Sequence, residues 1–202
     1  DIIMDRMDGV ERCKKLKNDE RDSHVPVILL TARHSEDIIK NSYEIGADDY
    51  ITKPFNVSTL NTRIKNLIEQ RRKLRKLFSY PNHYDYEEMV TNKIDARFLE
   101  KLNKTIENNI DNPKFSPTSL ASDMAMSKMQ LYRKVSALTD QTVYSYIRNK
   151  RMQEAAKLLV STDMQIAEVA IKVGYTEPSN FTKCFTREFN QSPSKFIKDH
   201  RK

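Results

Sequence analysis

The second half of the chain contains an internal repeat, and no other feature of the sequence restricts the fold as much. Adding 50 to the residue number pairs similar residues, as in Leu131 with Phe181, Arg133 with Lys183, Val135 with Phe185, Gln141 with Gln191, Tyr146 with Phe196 and Ile147 with Ile197. Further upstream the offset is 49, since Ala121 pairs with Ala170 and Ala125 with Gly174. Each copy has a helical pattern, a short turn and a second helical pattern. Two helix-turn-helix units are therefore predicted, at about 116–138 and about 165–189, with a linker helix at about 142–160.

The second helix of each copy has an apolar stripe and a polar face. Leu131, Val135 and Leu138 form the stripe in the first copy, and Phe181, Cys184 and Phe185 form it in the second. Each polar face mixes one cation with short hydrogen-bonding side chains, which suits base edges and phosphates in a DNA major groove. For one such helix an ordinary solvated face is the better explanation, but two helices in register reverse that balance. The candidate DNA contacts are Lys128, Met129, Gln130, Tyr132, Arg133, Ser136, Ser179, Asn180, Thr182, Lys183, Thr186 and Arg187.

The positive charge is concentrated in the same half. The formal net charge of +7 comes from 35 Lys and Arg against 28 Asp and Glu. Residues 1–94 carry 17 basic and 16 acidic side chains, whereas residues 95–202 carry 18 and 12. This excess favours a nucleic-acid partner only slightly, because it is often a solubility device.

Two observations argue against a membrane-spanning protein and against a cysteine-based metal site. The sequence has no stretch of about 18 consecutive apolar residues, so no membrane span is predicted and we expect a cytoplasmic chain. Cys13 and Cys184 have no neighbouring cysteines or histidines spaced as metal ligands, so we expect two buried thiols.

The first half has the alternating pattern of a parallel sheet covered by helices. Val25–Leu30 is the clearest strand, and Pro26 fits only at its beginning. A short strand is predicted around Tyr50 and Ile51, after a left-handed Gly46. The chain opens on Asp1, and we interpret it as a fragment in which only about half of a doubly wound domain is present.

A long amphipathic helix is predicted from Leu60 to Phe78, followed by a linker at 79–94. The helix serves either as a cover for the sheet that continues into a solvated connector or as a dimer-forming coiled segment. Beyond about residue 95 the patterns predict helices alone.

Residues 113–200 resemble the AraC family of transcription regulators. The resemblance is carried by Leu120-Ala121, Met126-Ser127, Leu131-Tyr132-Arg133-Lys134, Arg151-Met152-x-x-Ala155-x-x-Leu158-Leu159, Ile166-Ala167-x-Val169-Ala170-x-x-Val173-Gly174-Tyr175, Phe181, Phe185, Phe189 and Ser192-Pro193. It implies a DNA-binding domain at 95–202 whose two recognition helices enter successive major-groove segments, held apart by the linker helix. Ala125 and Asp140 replace the usual glycines and Val143 the usual proline. We expect these departures to affect stability rather than function, because Asp adopts a left-handed conformation at modest cost.

Residues 1–78 resemble the C-terminal part of a CheY-like receiver domain of response regulators. In that family the phospho-acceptor aspartate precedes a Met-Pro-x-Met-Asp-Gly turn, and here Asp1 precedes Met4-Asp5-Arg6-Met7-Asp8-Gly9, with Asp5 in place of proline. The resemblance makes Thr31 the switch threonine, Tyr50 the switch aromatic residue and Lys53 the lysine that pairs with the phosphoryl group. Such residues meet at the carboxyl ends of neighbouring parallel strands.

Receiver domains also need an acidic pair after their first strand to hold Mg²⁺, and that pair is absent from this sequence. We therefore expect Mg²⁺ only in the intact receiver domain and none in this fragment. Asp48 and Asp49 precede a later strand, and we expect them to form a solvated turn.

The sequence thus predicts an α/β segment, a partial doubly wound receiver, followed by an all-α domain with two helix-turn-helix units. The expected function is sequence-specific binding of double-stranded DNA to regulate transcription, controlled by phosphorylation at Asp1. The alternative is a phosphoryl-accepting signalling module of a hybrid histidine kinase, in which DNA binding is secondary and the parent is anchored in the inner membrane. Further expected partners are RNA polymerase, a histidine kinase module or other phosphodonor, and a second copy of the chain. We do not expect an enzyme, because no set of nucleophile and base and no nucleotide-binding loop is found.

Overall fold

The computed structural model describes residues 8–32, 40, 43–78 and 93–201, with the backbone alone for residues 74–78. The chain divides into two compact units, which we call unit 1 (residues 1–100 with 133–140) and unit 2 (residues 101–132 with 141–202). Asp1 and residues 79–92 of the predicted linker lie outside the described residues. The elements in chain order are α1 (Gly9–Asn18), β1 (Ile28–Thr31), β2 (Asp49–Thr52), α2 (Val57–Phe78), α3 (Lys93–Glu107), α4 (Pro117–Asp123), α5 (Lys128–Thr139), α6 (Val143–Ser161), α7 (Ile166–Lys172), α8 (Pro178–Phe189) and α9 (Pro193–His200).

The two strands of unit 1 form a parallel pair, with Ile28 opposite Asp49 at one end and Thr31 opposite Thr52 at the other. Leu29 and Tyr50 point into the core, where they pack with Cys13 of α1. An α/β segment followed by helices is therefore confirmed as the fold class.

The first strand begins later than the sequence predicts, at Ile28 instead of Val25. Pro26 has no N–H to donate to a neighbouring strand. The N–H of Val27 donates to a carboxylate oxygen of Asp48 at 2.8 Å instead. Neither Pro26 nor Val27 therefore donates a backbone hydrogen bond to the neighbouring strand, and regular pairing begins at Ile28.

The expectation that Asp48 and Asp49 form a solvated turn is wrong. The Asp48 side chain is only 18% exposed, and it accepts hydrogen bonds from Lys17 Nζ at 2.6 Å and from an Arg71 guanidinium nitrogen at 2.7 Å. Burial opposes the ionisation of Asp48, but the hydrogen bonds from Lys17, from a backbone amide and from Arg71 leave its pKa lowered. Asp49 is paired with Arg63 at 2.8 Å. The two carboxylates thus connect β2 with α1 and α2.

Unit 2 has a core built by the helices α6 to α9. Its fully buried side chains are Met152, Ala155, Leu159, Val169, Ala170, Val173, Phe181 and Phe185. Phe185 contacts Phe181 and Phe196, with ring centroids 5.6 and 5.3 Å apart. Aromatic pairs at these distances add to the stabilisation from buried area by about 0.5–1.5 kcal/mol each. The same apolar stripe that the repeat predicts for α8 therefore forms the centre of this unit.

The internal repeat of the sequence recurs in the backbone of unit 2. Met126 N donates to Ala121 O at 3.0 Å, and Tyr175 N donates to Ala170 O at 2.9 Å. Each bond closes a helix through a left-handed residue, Ala125 with φ 54° and Gly174 with φ 79°. This is the Schellman arrangement, in which a left-handed residue lets the chain leave the helix while its last carbonyls stay bonded. The two turns are thus built in the same way, at the predicted offset of 49.

Candidate functional site

The first helix-turn-helix unit is made by α4, the turn at Ala125 and α5. Ser116 caps α4 by accepting a hydrogen bond from Ser119 N at 3.3 Å, as its position before Pro117 suggests. At the start of α5, Ser127 N donates to Gln130 Oε1 at 3.0 Å, and Gln130 N donates to Ser127 Oγ at 3.3 Å. These reciprocal bonds form a capping box, which fixes where α5 begins.

The predicted DNA contacts of α5 fall into two groups in the structure. Lys128, Met129, Arg133 and Ser136 are exposed, whereas Gln130 and Tyr132 are half-buried. The side-chain oxygen of Gln130 is used in the capping box, and the ring of Tyr132 lies 5.9 Å below Lys128 Nζ. The stripe that the sequence assigns to the interior is buried at Leu131 and Val135 and half-buried at Leu138.

The second helix-turn-helix unit is made by α7, the turn at Gly174 and α8. Glu168 Oε2 accepts a hydrogen bond from Gln165 N at 2.7 Å, which satisfies one of the free amides where α7 begins. The inward residues of α8 are Phe181 and Phe185, both fully buried, while Cys184 is half-buried.

The outward face of α8 carries most of the predicted DNA contacts in exposed positions. Thr182 is the exception, because it is half-buried and its hydroxyl donates to Pro178 O at 3.0 Å. The exposed residues are Ser179, Asn180, Lys183, Thr186 and Arg187. In the part of the chain that the structure describes, neither Lys183 nor its repeat equivalent Arg133 takes part in an ion pair, so both cations face solvent. A cation without an acidic neighbour is suited to meet a phosphate or a guanine edge.

Lys134, the neighbour of Arg133, lies on the inward side of α5, and the sequence does not reveal its partners. Its side chain has 0% exposure, and its Nζ lies 2.9 Å from Asp95 Oδ1 and 2.9 Å from Ser23 Oγ. It also donates to the carbonyl of Glu20. All four residues belong to unit 1. A basic pair that reads alike in the sequence thus consists of one exposed cation and one buried ion pair.

Two of the predicted receiver residues, Thr31 and Lys53, lie at the carboxyl edge of the parallel strands. Thr31 ends β1 with 2% exposure, and Lys53 directly follows β2. Lys53 N donates to Thr31 O at 2.6 Å, so the two residues are neighbours. Tyr50 lies within β2 and is 6% exposed. The predicted acceptor Asp1 lies outside the described residues, so the structure brings together Thr31 and Lys53 only.

The donor set at this edge does not by itself fit Mg²⁺. This ion takes oxygen ligands, usually one or two carboxylates, whereas Thr31 supplies a hydroxyl and Lys53 an ammonium. Over the described ranges, no group of three or more His, Cys, Asp or Glu side chains is placed to hold a metal ion. In the same ranges no helix is long and apolar enough to cross a membrane.

Comparison with family models matches two segments of the chain. Residues 1–65 match the model described as a response regulator receiver domain. Residues 120–199 match the model described as a helix-turn-helix domain.

Two curated proteins are similar to different shares of the chain. Histidine kinase P4 from Formosa agariphila is 38% identical over 97% of the chain, and the chain spans only 14% of that protein's length. The uncharacterized transcriptional regulatory protein YclJ from Bacillus subtilis is 46% identical over 35% of the chain, which corresponds to 30% of its own length.

Among solved structures, the chain is similar to the C-terminal domain of AraT, a response regulator from Geobacillus stearothermophilus. The sequence identity is 23%, the TM-score is 0.49, and the alignment covers 52% of this chain and 87% of the other.

Proposed function

We propose that α5 and α8 bind double-stranded DNA sequence-specifically to regulate transcription, a proposal supported by the matches of residues 1–65 to a response regulator receiver domain and of residues 120–199 to a helix-turn-helix domain. The observation that carries this proposal is the repeated arrangement of the second helices. Each follows a left-handed Schellman turn, buries an apolar stripe and exposes a cation at the equivalent position, Arg133 or Lys183.

The exposed residues of α5 and α8 differ in the DNA groups that they can contact. Arg133 can form two hydrogen bonds with a guanine edge, whereas Lys183 acts as a single charge toward a phosphate or a base acceptor. Ser179, Asn180 and Thr186 supply short hydrogen-bonding groups beside Lys183. Met129, with 64% exposure at the start of α5, offers an apolar surface to a thymine methyl group. The half-buried Gln130, Tyr132 and Thr182 take a smaller share, because their polar atoms or rings are engaged within their own helices.

A gel-shift titration of the 202-residue chain against DNA selected from a random pool tests this proposal. Binding should weaken steeply with added salt, since each cation at a phosphate releases counterions. Arg133→Ala should cost about 1–3 kcal/mol against the selected site and less against random DNA if the residue reads a base. Lys104→Ala is the matched control, because it removes one exposed charge from α3, outside both recognition helices. Equal losses for Arg133→Ala and Lys104→Ala, or no selected site at all, would count against the proposal.

We propose in addition that phosphorylation at Asp1 controls this activity. Support comes from the receiver match at residues 1–65 and from the adjacency of Thr31 and Lys53 at one edge of the sheet. In this proposal Lys53 pairs with the phosphoryl group and the Thr31 hydroxyl donates to one of its oxygens, while Tyr50 responds to the change at Thr31. A histidine kinase module or small phosphodonor supplies the group, and RNA polymerase and a second copy of the chain are the partners on DNA.

One observation favours a second candidate function. The chain is 38% identical, over 97% of its length, to a protein described as a histidine kinase. In that context the receiver mainly accepts or passes phosphoryl groups, and DNA binding is secondary. Deleting residues 1–94 separates the candidates once circular dichroism shows that the remaining helices are folded, since Lys134 of α5 then lacks its contacts with Glu20 and Ser23. DNA affinity kept or raised by the deletion supports the regulator, and loss of specific binding by a folded segment supports the signalling module.

A further inference from the structure

Arg151 of α6 joins three segments of unit 2 through one guanidinium group. One of its terminal nitrogens donates to Gly174 O at 3.1 Å, and the other donates to Asn112 O at 2.6 Å. The guanidinium carbon lies 6.0 Å from the centre of the Tyr175 ring. The linker helix, the loop after α3 and the turn of the second helix-turn-helix unit therefore meet at this side chain.

The Arg151 guanidinium is held by neutral groups, since no carboxylate of the described residues forms an ion pair with it. Burial lowers the pKa of Arg151, but an arginine remains protonated at neutral pH. Burial also raises the pKa of the Tyr175 phenol, so the neighbouring ring is neutral. A half-buried guanidinium held by two carbonyls and a ring is directional, because the planar group bonds both carbonyls in one orientation only.

The Gly174 turn is packed tightly against this group. A Cβ at Gly174 would lie 2.6 Å from Ile110 O and 2.8 Å from the Arg151 guanidinium carbon. At the equivalent position of the first helix-turn-helix unit, Ala125 carries a Cβ and is exposed. The two turns have the same backbone geometry, but only the second is enclosed.

The position of α8 depends on this turn. Tyr175, which follows Gly174, packs edge-on against Phe181 of α8 with ring centroids 5.7 Å apart. Phe181 is fully buried, so a shift of Tyr175 displaces α8 relative to α6.

We infer that Arg151 is a positioning residue for the second recognition helix: by fixing the Gly174 turn against the linker helix it sets how α8 meets DNA. This inference rests on the proposed function. It makes no claim on α5, whose turn at Ala125 is not held by Arg151. Loss of the guanidinium should therefore impair the reading of one half of the DNA site and spare the other.

The test is DNase footprinting and half-site competition with the 202-residue chain. The variants are Arg151→Gln, which removes the charge, and Arg151→Lys, which keeps the charge but cannot bond two carbonyls in one plane. Lys157→Gln is the control, because this residue is exposed on the same helix and pairs with Glu154, three residues before it. The half-site read by α8 is identified as the one whose protection Lys183→Ala weakens.

For the wild-type chain, scrambling the α8 half-site should lower affinity by roughly tenfold or more, since each mismatched pair costs about 1–3 kcal/mol. In Arg151→Gln and Arg151→Lys this factor should fall toward one, whereas the factor for the α5 half-site should stay within about twofold of wild type. Lys157→Gln should behave as wild type at both.

Thermal unfolding of each variant separates positioning from stability. If Arg151→Gln is unfolded at the assay temperature, Arg151→Lys decides. Unchanged protection of both half-sites, or an equal loss at both in a folded variant, would overturn the inference while leaving the proposed function standing. A wild-type chain that protects no DNA would overturn the proposed function, and the inference with it.

Discussion

Exchanging the residues at the two left-handed turns should change stability in opposite directions. Gly174→Ala places a Cβ 2.6 Å from the backbone oxygen of Ile110, at φ 79°. The left-handed conformation costs an alanine about 1–2 kcal/mol, and the contact with a backbone atom requires unit 2 to shift, at a further cost of about 1–3 kcal/mol. Reduced entropy of the unfolded chain returns about 0.4–1 kcal/mol. We expect a net destabilisation of about 2–4 kcal/mol.

Ala125→Gly is the matched opposite change, because Ala125 has φ 54° and its Cβ is exposed. Relief of about 1–2 kcal/mol of backbone strain exceeds the greater flexibility that glycine gives the unfolded chain. We expect a stabilisation of about 0.5–1 kcal/mol.

Urea unfolding followed by circular dichroism at 222 nm measures both changes, with m compared among the variants to check that the same transition is observed. A Gly174→Ala protein within about 0.5 kcal/mol of wild type would show that the turn is not enclosed as described. A destabilised Ala125→Gly protein would show that the first turn does not carry the strain of a left-handed alanine.

Two further changes test the buried polar groups of unit 1. Lys134→Met should lower its free energy of unfolding by about 3–5 kcal/mol, since Asp95 stays buried without its cation, and Lys134→Met with Asp95→Leu should recover part of this loss in the same urea assay. A free energy of unfolding in Lys134→Met equal to that of the wild type would disprove the buried pair. The pKa of His24 is lowered from its usual 6.5, mainly because the ring is buried and secondly because the positive charge of Lys134 opposes its protonation. The folded state therefore binds this proton less well than the unfolded state, and stability should decrease as pH falls from 6.5 toward the folded pKa. His24→Gln should flatten this part of a curve of unfolding free energy against pH, and an equally steep curve in the variant would contradict it.

The fold class and the repeat could be predicted from the sequence because they depend on local patterns. The apolar stripe at Leu131 and Val135 and its copy at Phe181 and Phe185 recur with helical spacing, and burial follows from that spacing. At Asp140, where the family resemblance implies a glycine, the structure has the left-handed conformation that Asp adopts at modest cost. The family matches confirm the receiver and helix-turn-helix resemblances that these patterns supported.

What the sequence did not predict depends on contacts between residues far apart in the chain. Asp48 looked like a solvated turn residue because its partners Lys17 and Arg71 are 31 and 23 positions away. The helical spacing places Lys134 on the same side of α5 as Leu131 and Leu138, but its partner Ser23 is 111 positions away, so the sequence does not show what holds the buried charge. The glycine at position 174 indicates a left-handed turn or a close contact, but the sequence does not show that Arg151 and Ile110 are the groups packed against it.

The most direct test of the account is a hydroxyl-radical footprint of the 202-residue chain on its selected DNA, with Arg133→Ala and Lys183→Ala beside it. If α5 and α8 are the two recognition helices, the wild type should protect two segments on one face of the duplex, with centres about 10 base pairs apart. Arg133→Ala should weaken protection of one segment and Lys183→Ala that of the other. Protected segments half a helical turn apart, or a loss at the same segment in both variants, would contradict the central claim that the two repeated helices each read their own half of the site.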